Sequence, residues 1–349
     1  MLQERIEGKW LAAFRRVFKL NGIGQGTKIA IISETQSRPV LVHLCELAAY
    51  DLGAESFHIQ MPTPAQSAPV PVKSTGTSWA IAGNRAVVEA LKLVEVIVDC
   101  TVEGLIHAPE WPEIEDAGRA RLLVITNEHP EILERTEPKA EDGPKVQLGI
   151  QMLREASEMH VTSALGTDLH VDLRGAPCGG TAGFGTTPGA VAHWPGGLCL
   201  AFPGQNAVNG RIVMGVGDMN LTFKTYLTSQ IDFTIENDFV TTIKGDGIDA
   251  LHFREYMEAW GDRNAYGLSH VGWGMNHGAQ WVSAAMYDKR DMQAVEFRAI
   301  AGSFLWSTGA NQYAGRYTLG HFDLPMRNCT IALDGRVVVK DGVLQGELA

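Results

Sequence analysis

The residue pair with the clearest chemistry lies near the C-terminus, in Gly320-His321-Phe322-Asp323-Leu324-Pro325. In an extended segment alternate side chains share a face. The imidazole of His321 and the carboxylate of Asp323 then point at one spot while Phe322 turns into the packing behind them. Such a pair chelates. Joined by a distant second His it forms a two-His-one-carboxylate set, the facial triad of non-haem Fe(II) oxygenases, which leaves positions open for substrate and dioxygen. From Tyr317 through Met326 the neighbours are apolar or neutral, so a charged pair among them needs a partner. A metal is one such partner; a lone salt bridge is the plain alternative.

His-x-Asp occurs a second time, at His170-Val171-Asp172. There Asp168, His170, Asp172 and Arg174 alternate with Leu169, Val171 and Leu173, which reads as the solvated face of an amphipathic strand. The missing third ligand is expected from a strand of the second half of the chain, and Ser269-His270-Val271-Gly272-Trp273-Gly274-Met275-Asn276-His277 offers two. His270 leads an extended, glycine-thinned run, and His277 follows Asn276 where a turn or helix starts; spacing alone leaves both open.

The elements that must position these residues begin with Ile6, Trp10, Phe14 and Val17 at helical spacing, which predict an amphipathic helix over residues 4 to 20. Strands are expected at 28–33, 56–60, 94–99 and 121–126, alternating with helices that include Leu41 to Ala48 and 85–93. Alternation of this kind implies an open, largely parallel sheet whose ligands gather beyond the carboxyl ends of its strands. His107 and His129 both follow such strand ends. His107 is equally a catalytic base facing the cleft or an exposed loop histidine; for His129, a helix start at Pro130 accounts for its setting. No G-x-G-x-x-G follows the first strand, so nothing supports a nucleotide cofactor.

From about residue 156 the chain turns strand-rich and glycine-rich. This places an α/β domain at 1–155 and an α+β, metal-binding domain at 156–349, the latter interrupted by a helix around Ile248 to Trp260. The long segment Cys178 to Gly197 is rich in glycine and proline and is read as an irregular loop whose backbone can approach a ligand. His193 within it is either a pocket residue or a backbone-bonded buried histidine.

Composition narrows the function classes. A net charge of -11 and the lack of a basic stripe argue against nucleic acid and anionic membrane surfaces as partners. The start, Met1 to Gly8, is charged and no run of about 18 apolar residues occurs, so neither signal peptide nor membrane span is expected and the cytoplasm is the simplest location. Five scattered cysteines without Cys-x-x-Cys spacing fit reduced thiols and exclude a zinc knuckle.

The segments Ser269 to Asn276 and His321 to Met326, with Trp194-Pro195-Gly196-Gly197 and Asn206-Ala207-Val208-Asn209-Gly210, resemble the 2,5-dihydroxypyridine dioxygenases of bacterial nicotinate and hydroxypyridine breakdown. These share a fold with the aminopeptidase T type of metallopeptidase. The peptidases carry a metal-binding Glu after a Pro-x-Gly segment and another before a Gly-x-Gly-x-Asn segment. This sequence has Leu198 at the first place and His270 at the second. Losing one acidic ligand and exchanging another for His turns a two-metal hydrolytic site into a mononuclear, nitrogen-rich one, which suits iron. The resemblance therefore implies His270, His321 and Asp323 as Fe(II) ligands and dioxygen as co-substrate. It implies His107 as the base that deprotonates a small aromatic N-heterocycle, with His193 and Ser307 in the pocket. It further implies extradiol-like opening of 2,5-dihydroxypyridine between C5 and C6 to N-formylmaleamate, by a homo-oligomer. A metallo-aminopeptidase-like hydrolase is the competing reading, and a metal-free binding protein the third.

Overall fold

The computed structural model describes residues 5–65, 68 and 78–349. The first half alternates helices and strands: α1 (Gly8–Leu20), β1 (Lys28–Glu34), α2 (Pro39–Asp51), β2 (Glu55–Met61), α3 (Arg85–Leu91), β3 (Val96–Asp99), α4 (Trp111–Asp116), β4 (Arg121–Ile125), α5 (Pro130–Arg135) and α6 (Asp142–Glu155). The opening helix starts later than residue 4. Glu4 lies outside the described residues, Glu7 is an extended N-cap, and Ile6 stays 40% exposed, so nothing rewards winding the chain before Gly8.

The second half is built of strands: β5 (Glu158–Ser163), β6 (Asp168–Asp172), β7 (Cys178–Thr181), β8 (Val191–Trp194), β9 (Leu198–Ala201), β10 (Val208–Met214), β11 (Met219–Asn220), β12 (Thr225–Tyr226), β13 (Ile231–Glu236) and β14 (Phe239–Lys244). Then come α7 (Ile248–Ala259), β15 (Leu268–Gly274), α8 (Ser283–Met286), α9 (Glu296–Ala299), β16 (Phe304–Asn311), β17 (Arg316–Met326), β18 (Cys329–Leu333), β19 (Arg336–Lys340) and β20 (Val343–Leu344).

Among the described residues the strands group into a five-stranded sheet of order β2-β1-β3-β4-β8, an eight-stranded sheet of order β14-β13-β10-β6-β5-β18-β19-β20, a β11-β12 pair, and a five-stranded sheet of order β17-β16-β15-β9-β7. The first is parallel throughout. One of its faces packs on α1 and α2 through Phe14, Val17, Leu41 and Leu44, and the other on α3 and α4 through Val88, Leu91 and Ile114. The other two large sheets are antiparallel and share a core with α6 and α7, in which Phe233, Phe253, Trp273, Trp306 and Phe322 are buried.

The stretch expected to be irregular, Cys178 to Gly197, contains two strands. At Gly180 a Cβ would meet the Leu198 carbonyl oxygen at 2.2 Å, so the bare backbone lets β7 press against β9. The β-favouring run Val191–Trp194 extends the parallel sheet beside β4. This crossing ties the second half of the chain into the first sheet.

Candidate metal centre

The antiparallel sheet of β17, β16 and β15 assembles the central donors. On β17, Phe322 is 1% exposed and stacks on Phe253 with ring centroids 4.5 Å apart, which turns His321 and Asp323 to the opposite face. On the neighbouring strand, Ser307 pairs with Asp323 and Gly309 with His321. Between β16 and β15 the ladder slips: Leu268 pairs with Thr308 and Val271 with Trp306. Ser269 and His270 therefore stand together against the single residue Ser307, which is a β-bulge. Val271 and Trp273 face the core with Trp306 and Phe304, so alternation sets His270 on the opposite face, that of Asp323, and the extra residue returns Leu268 to the core. The Ser307 hydroxyl holds the bulge, accepting from His270 N at 3.1 Å and donating to His270 O at 3.4 Å.

The donors converge closely. His270 Nε2 lies 3.3 Å from Asp323 Oδ1, and His321 Nε2 lies 3.3 Å from Asp323 Oδ2. One donor atom from each of the three residues falls within 4.8 Å of the other two. Arg298 of α9 sets Nη2 2.7 Å from Asp323 Oδ2. Burial alone would raise the Asp323 pKa; Arg298 foremost, with His321 and His270, outweighs it and holds the carboxyl well below its usual range. Burial lowers the His270 pKa, so its imidazole is neutral and can offer a lone pair. Both Asp323 oxygens are buried without a hydrogen bond of good geometry among the described residues. Two imidazoles and an ionised carboxylate with under-satisfied oxygens fit a divalent transition ion of the kind that takes mixed nitrogen and oxygen donors.

His107 approaches from the other sheet. It lies in the loop after β3, and Asp99 at the end of that strand shapes the loop by accepting from Thr101 N at 2.9 Å, Thr101 Oγ1 at 2.6 Å and Leu105 N at 2.6 Å. The His107 ring meets His321 edge-on with centroids 6.2 Å apart. The His107 residue is exposed to solvent, but crowding of its ring among protein atoms, then the nearby imidazoles of His321 and His270 and the Arg298 guanidinium, press its pKa down. It is a neutral base. His193, on β8, sets Nδ1 2.6 Å from Pro195 O. The carbonyl can only accept, so Nδ1 carries the proton and Nε2 is an acceptor. Burial, then Arg298, lowers the His193 pKa to about 4.

The remaining sequence candidates lie elsewhere. His277 is exposed in the turn after β15. His129 caps α5, its Nδ1 accepting from Glu131 N at 3.2 Å. Residues 168–172 alternate in exposure as the sequence pattern implies, and Asp172 pairs with Arg174. Sequence reasoning missed Arg298 and Phe202, whose ring meets that of His270 edge-on at 5.7 Å. No spacing signal marks either. Arg298 reaches the site because Gly274 has no side chain: a Cβ there would meet Ile300 O at 2.2 Å. The segment before α9 is pinned to the first sheet's loops, with Glu128 accepting from Gln293 N at 2.8 Å and Val295 N at 2.7 Å. Arg135 and Glu296 form a two-pronged ion pair alongside.

Residues 9–346 match the family of 2,5-dihydroxypyridine 5,6-dioxygenases. The chain belongs to that family. This dioxygenase is 35% identical over 335 residues to the 2,5-dihydroxypyridine 5,6-dioxygenase of Pseudomonas putida KT2440, with 94% of each chain covered. It superposes on the solved structure of 2,5-dihydroxypyridine dioxygenase from Pseudomonas putida KT2440 with a TM-score of 0.91 at 34% identity, covering 97% of this chain and 98% of that one. Against AmpT from Thermus thermophilus the TM-score is 0.65 at 13% identity, covering 97% and 99%. That second likeness shows a shared fold, the aminopeptidase T type expected from the sequence. Membership makes this chain a ring-cleaving dioxygenase. Leu198, the residue that departs from the peptidase pattern, is 3% exposed in the core and offers no donor.

Proposed function

We propose that this enzyme is an Fe(II)-dependent, extradiol-like dioxygenase that opens 2,5-dihydroxypyridine between C5 and C6 to N-formylmaleamate, both atoms of one dioxygen entering the product. The observation that carries the reading is the convergence of His270, His321 and Asp323 within 4.8 Å on one face of a sheet. These three residues would hold the ion. When bound, Fe(II) supplies open coordination positions for substrate and dioxygen and a path for an electron between them. Arg298 keeps Asp323 ionised and thus ready to bind a cation.

His107 takes the proton of the substrate hydroxyl, and a neutral imidazole at the cleft edge suits that task. Removing the proton raises electron density on the ring, which ring attack by dioxygen requires. His193 Nε2 accepts a hydrogen bond from the substrate's polar edge, the Pro195 carbonyl fixing which nitrogen faces it. Ser307 acts through His270, since its hydroxyl is engaged with that residue's backbone.

The test is anaerobic purification, restoration of Fe(II), and parallel recording of 2,5-dihydroxypyridine absorbance and oxygen uptake. Equimolar loss of both, stopped by chelator and recovered with iron, supports the reading. No consumption by iron-loaded protein refutes it.

A further inference from the structure

Outside the centre just described, strand pairing builds a second cluster of metal-binding side chains on another sheet. His160 of β5 and His170 of β6 are directly opposed in the antiparallel ladder. Their rings stack with centroids 4.2 Å apart and planes 14° from parallel. Two residues along β6, on the same face, Asp168 sets Oδ1 2.7 Å from His160 Nε2 and 3.6 Å from His170 Nε2. Glu158, on the same face of β5, places Oε1 2.6 Å from His170 Nδ1. The neighbouring charges are engaged elsewhere: Asp172 pairs with Arg174, and Arg211, in register with Asp168 on β10, pairs with Asp232.

We propose that His160, His170 and Asp168 form a surface site for a divalent transition ion, Zn(II), distinct from the iron centre. One donor atom from each of the three falls within 4.8 Å of the others. Two imidazoles and one carboxylate, with an outward position left to water, are a donor set that zinc takes readily. The Glu158 carboxylate accepts from His170 Nδ1–H, fixes that tautomer and leaves the Nε2 lone pair toward Asp168, the outer-shell arrangement that ligating histidines commonly have. Simple surface ion pairing accounts for His160 with Asp168 and for His170 with Glu158, but such pairs contribute little in water. Ladder pairing brings the two imidazoles side by side, and one carboxylate oxygen faces a nitrogen of each. Both histidines sit on strands inside the sheet, β5 between β6 and β18, so their backbones are fixed, and a turn of the side chains out of the stack brings both nitrogen lone pairs onto one ion.

The experiment is equilibrium dialysis of tag-free, iron-loaded enzyme against Zn(II), followed by analysis of total bound metal. Wild type is expected to take up one ion more per chain than His160→Ala or His170→Ala, both of which keep their fold and ring-cleaving activity because these side chains face solvent. Asp323→Ala is expected to lose the central ion and retain the surface one. Glu158→Ala should weaken the surface equivalent by about 10- to 100-fold, because it removes only the partner that orients His170. Zinc uptake that is the same in wild type, His160→Ala and His170→Ala means an adventitious ion only and overturns the proposal, as does wild type that binds no ion beyond the central one.

Discussion

His270 and Asp323 meet across the strand that separates them, Nε2 3.3 Å from Oδ1, because alternation beside core-facing Val271, Phe322 and Leu324 turns both to the other face of the sheet. The bulge sets Ser269 and His270 together against Ser307. The Ser307 hydroxyl, bonded to His270 N and O, holds the backbone of that donor in place.

His321→Ala and Asp323→Ala should each abolish bound iron and turnover while leaving the fold intact. Metal analysis and circular dichroism on the same samples check this. Activity surviving either change would end the iron assignment.

Ser307→Ala removes the acceptor of the His270 N–H in a fully buried position. Leaving that donor unsatisfied should cost about 1–3 kcal/mol of stability. Loosening the bulge should also weaken iron binding, by about 10- to 100-fold if the hydroxyl acts as other outer-shell partners do. Thermal unfolding and an iron titration measure the two effects separately. A stability loss with unchanged iron affinity would remove the positioning role.

His107→Ala should slow turnover by about 100- to 10,000-fold, the usual worth of a general base. The residual rate should climb with pH, as ionisation of the substrate hydroxyl in solution replaces the missing base. A small loss with an unaltered pH profile would show that His107 does not take the proton.

Glu128 gives a pH-dependent stability prediction. Burial, then Glu296, pushes its carboxyl up to about 7 from an ordinary 4.5. Between those values the folded state holds a proton that the unfolded state has released, so stability declines as pH rises through the window. Glu128→Gln removes that titration. Its amide NH2 would also face the N–H of Gln293 or Val295, a buried mismatch that should cost about 1–3 kcal/mol. Urea midpoints from pH 5 to 8 should fall more steeply in wild type than in the variant. Parallel slopes would show that Glu128 does not titrate there. Asp99, also raised by burial to about 6, contributes equally to both proteins.

Much of the site was legible in one dimension. The two-residue spacing of His321 and Asp323 specifies a shared face wherever the chain is extended, and Phe322 between them is driven inward by its own burial. Alternation at 168–173 likewise announced an exposed face, and strand-helix alternation in the first half announced a parallel sheet. Each of these patterns is local, set by backbone periodicity and the preference of apolar side chains for the interior. What the tertiary structure alone decided was register. His270 rather than His277 meets His321 and Asp323 because β15 pairs with β16 and ends at Gly274, which leaves His277 in the exposed turn beyond it, and spacing along the chain does not encode that. Arg298 joins the centre only because Gly274 lets another segment approach, and His160 meets His170 only because β5 and β6 pair at that offset. Partners far apart along the chain are chosen by how strands slide and pack against one another, a choice made by the whole core together.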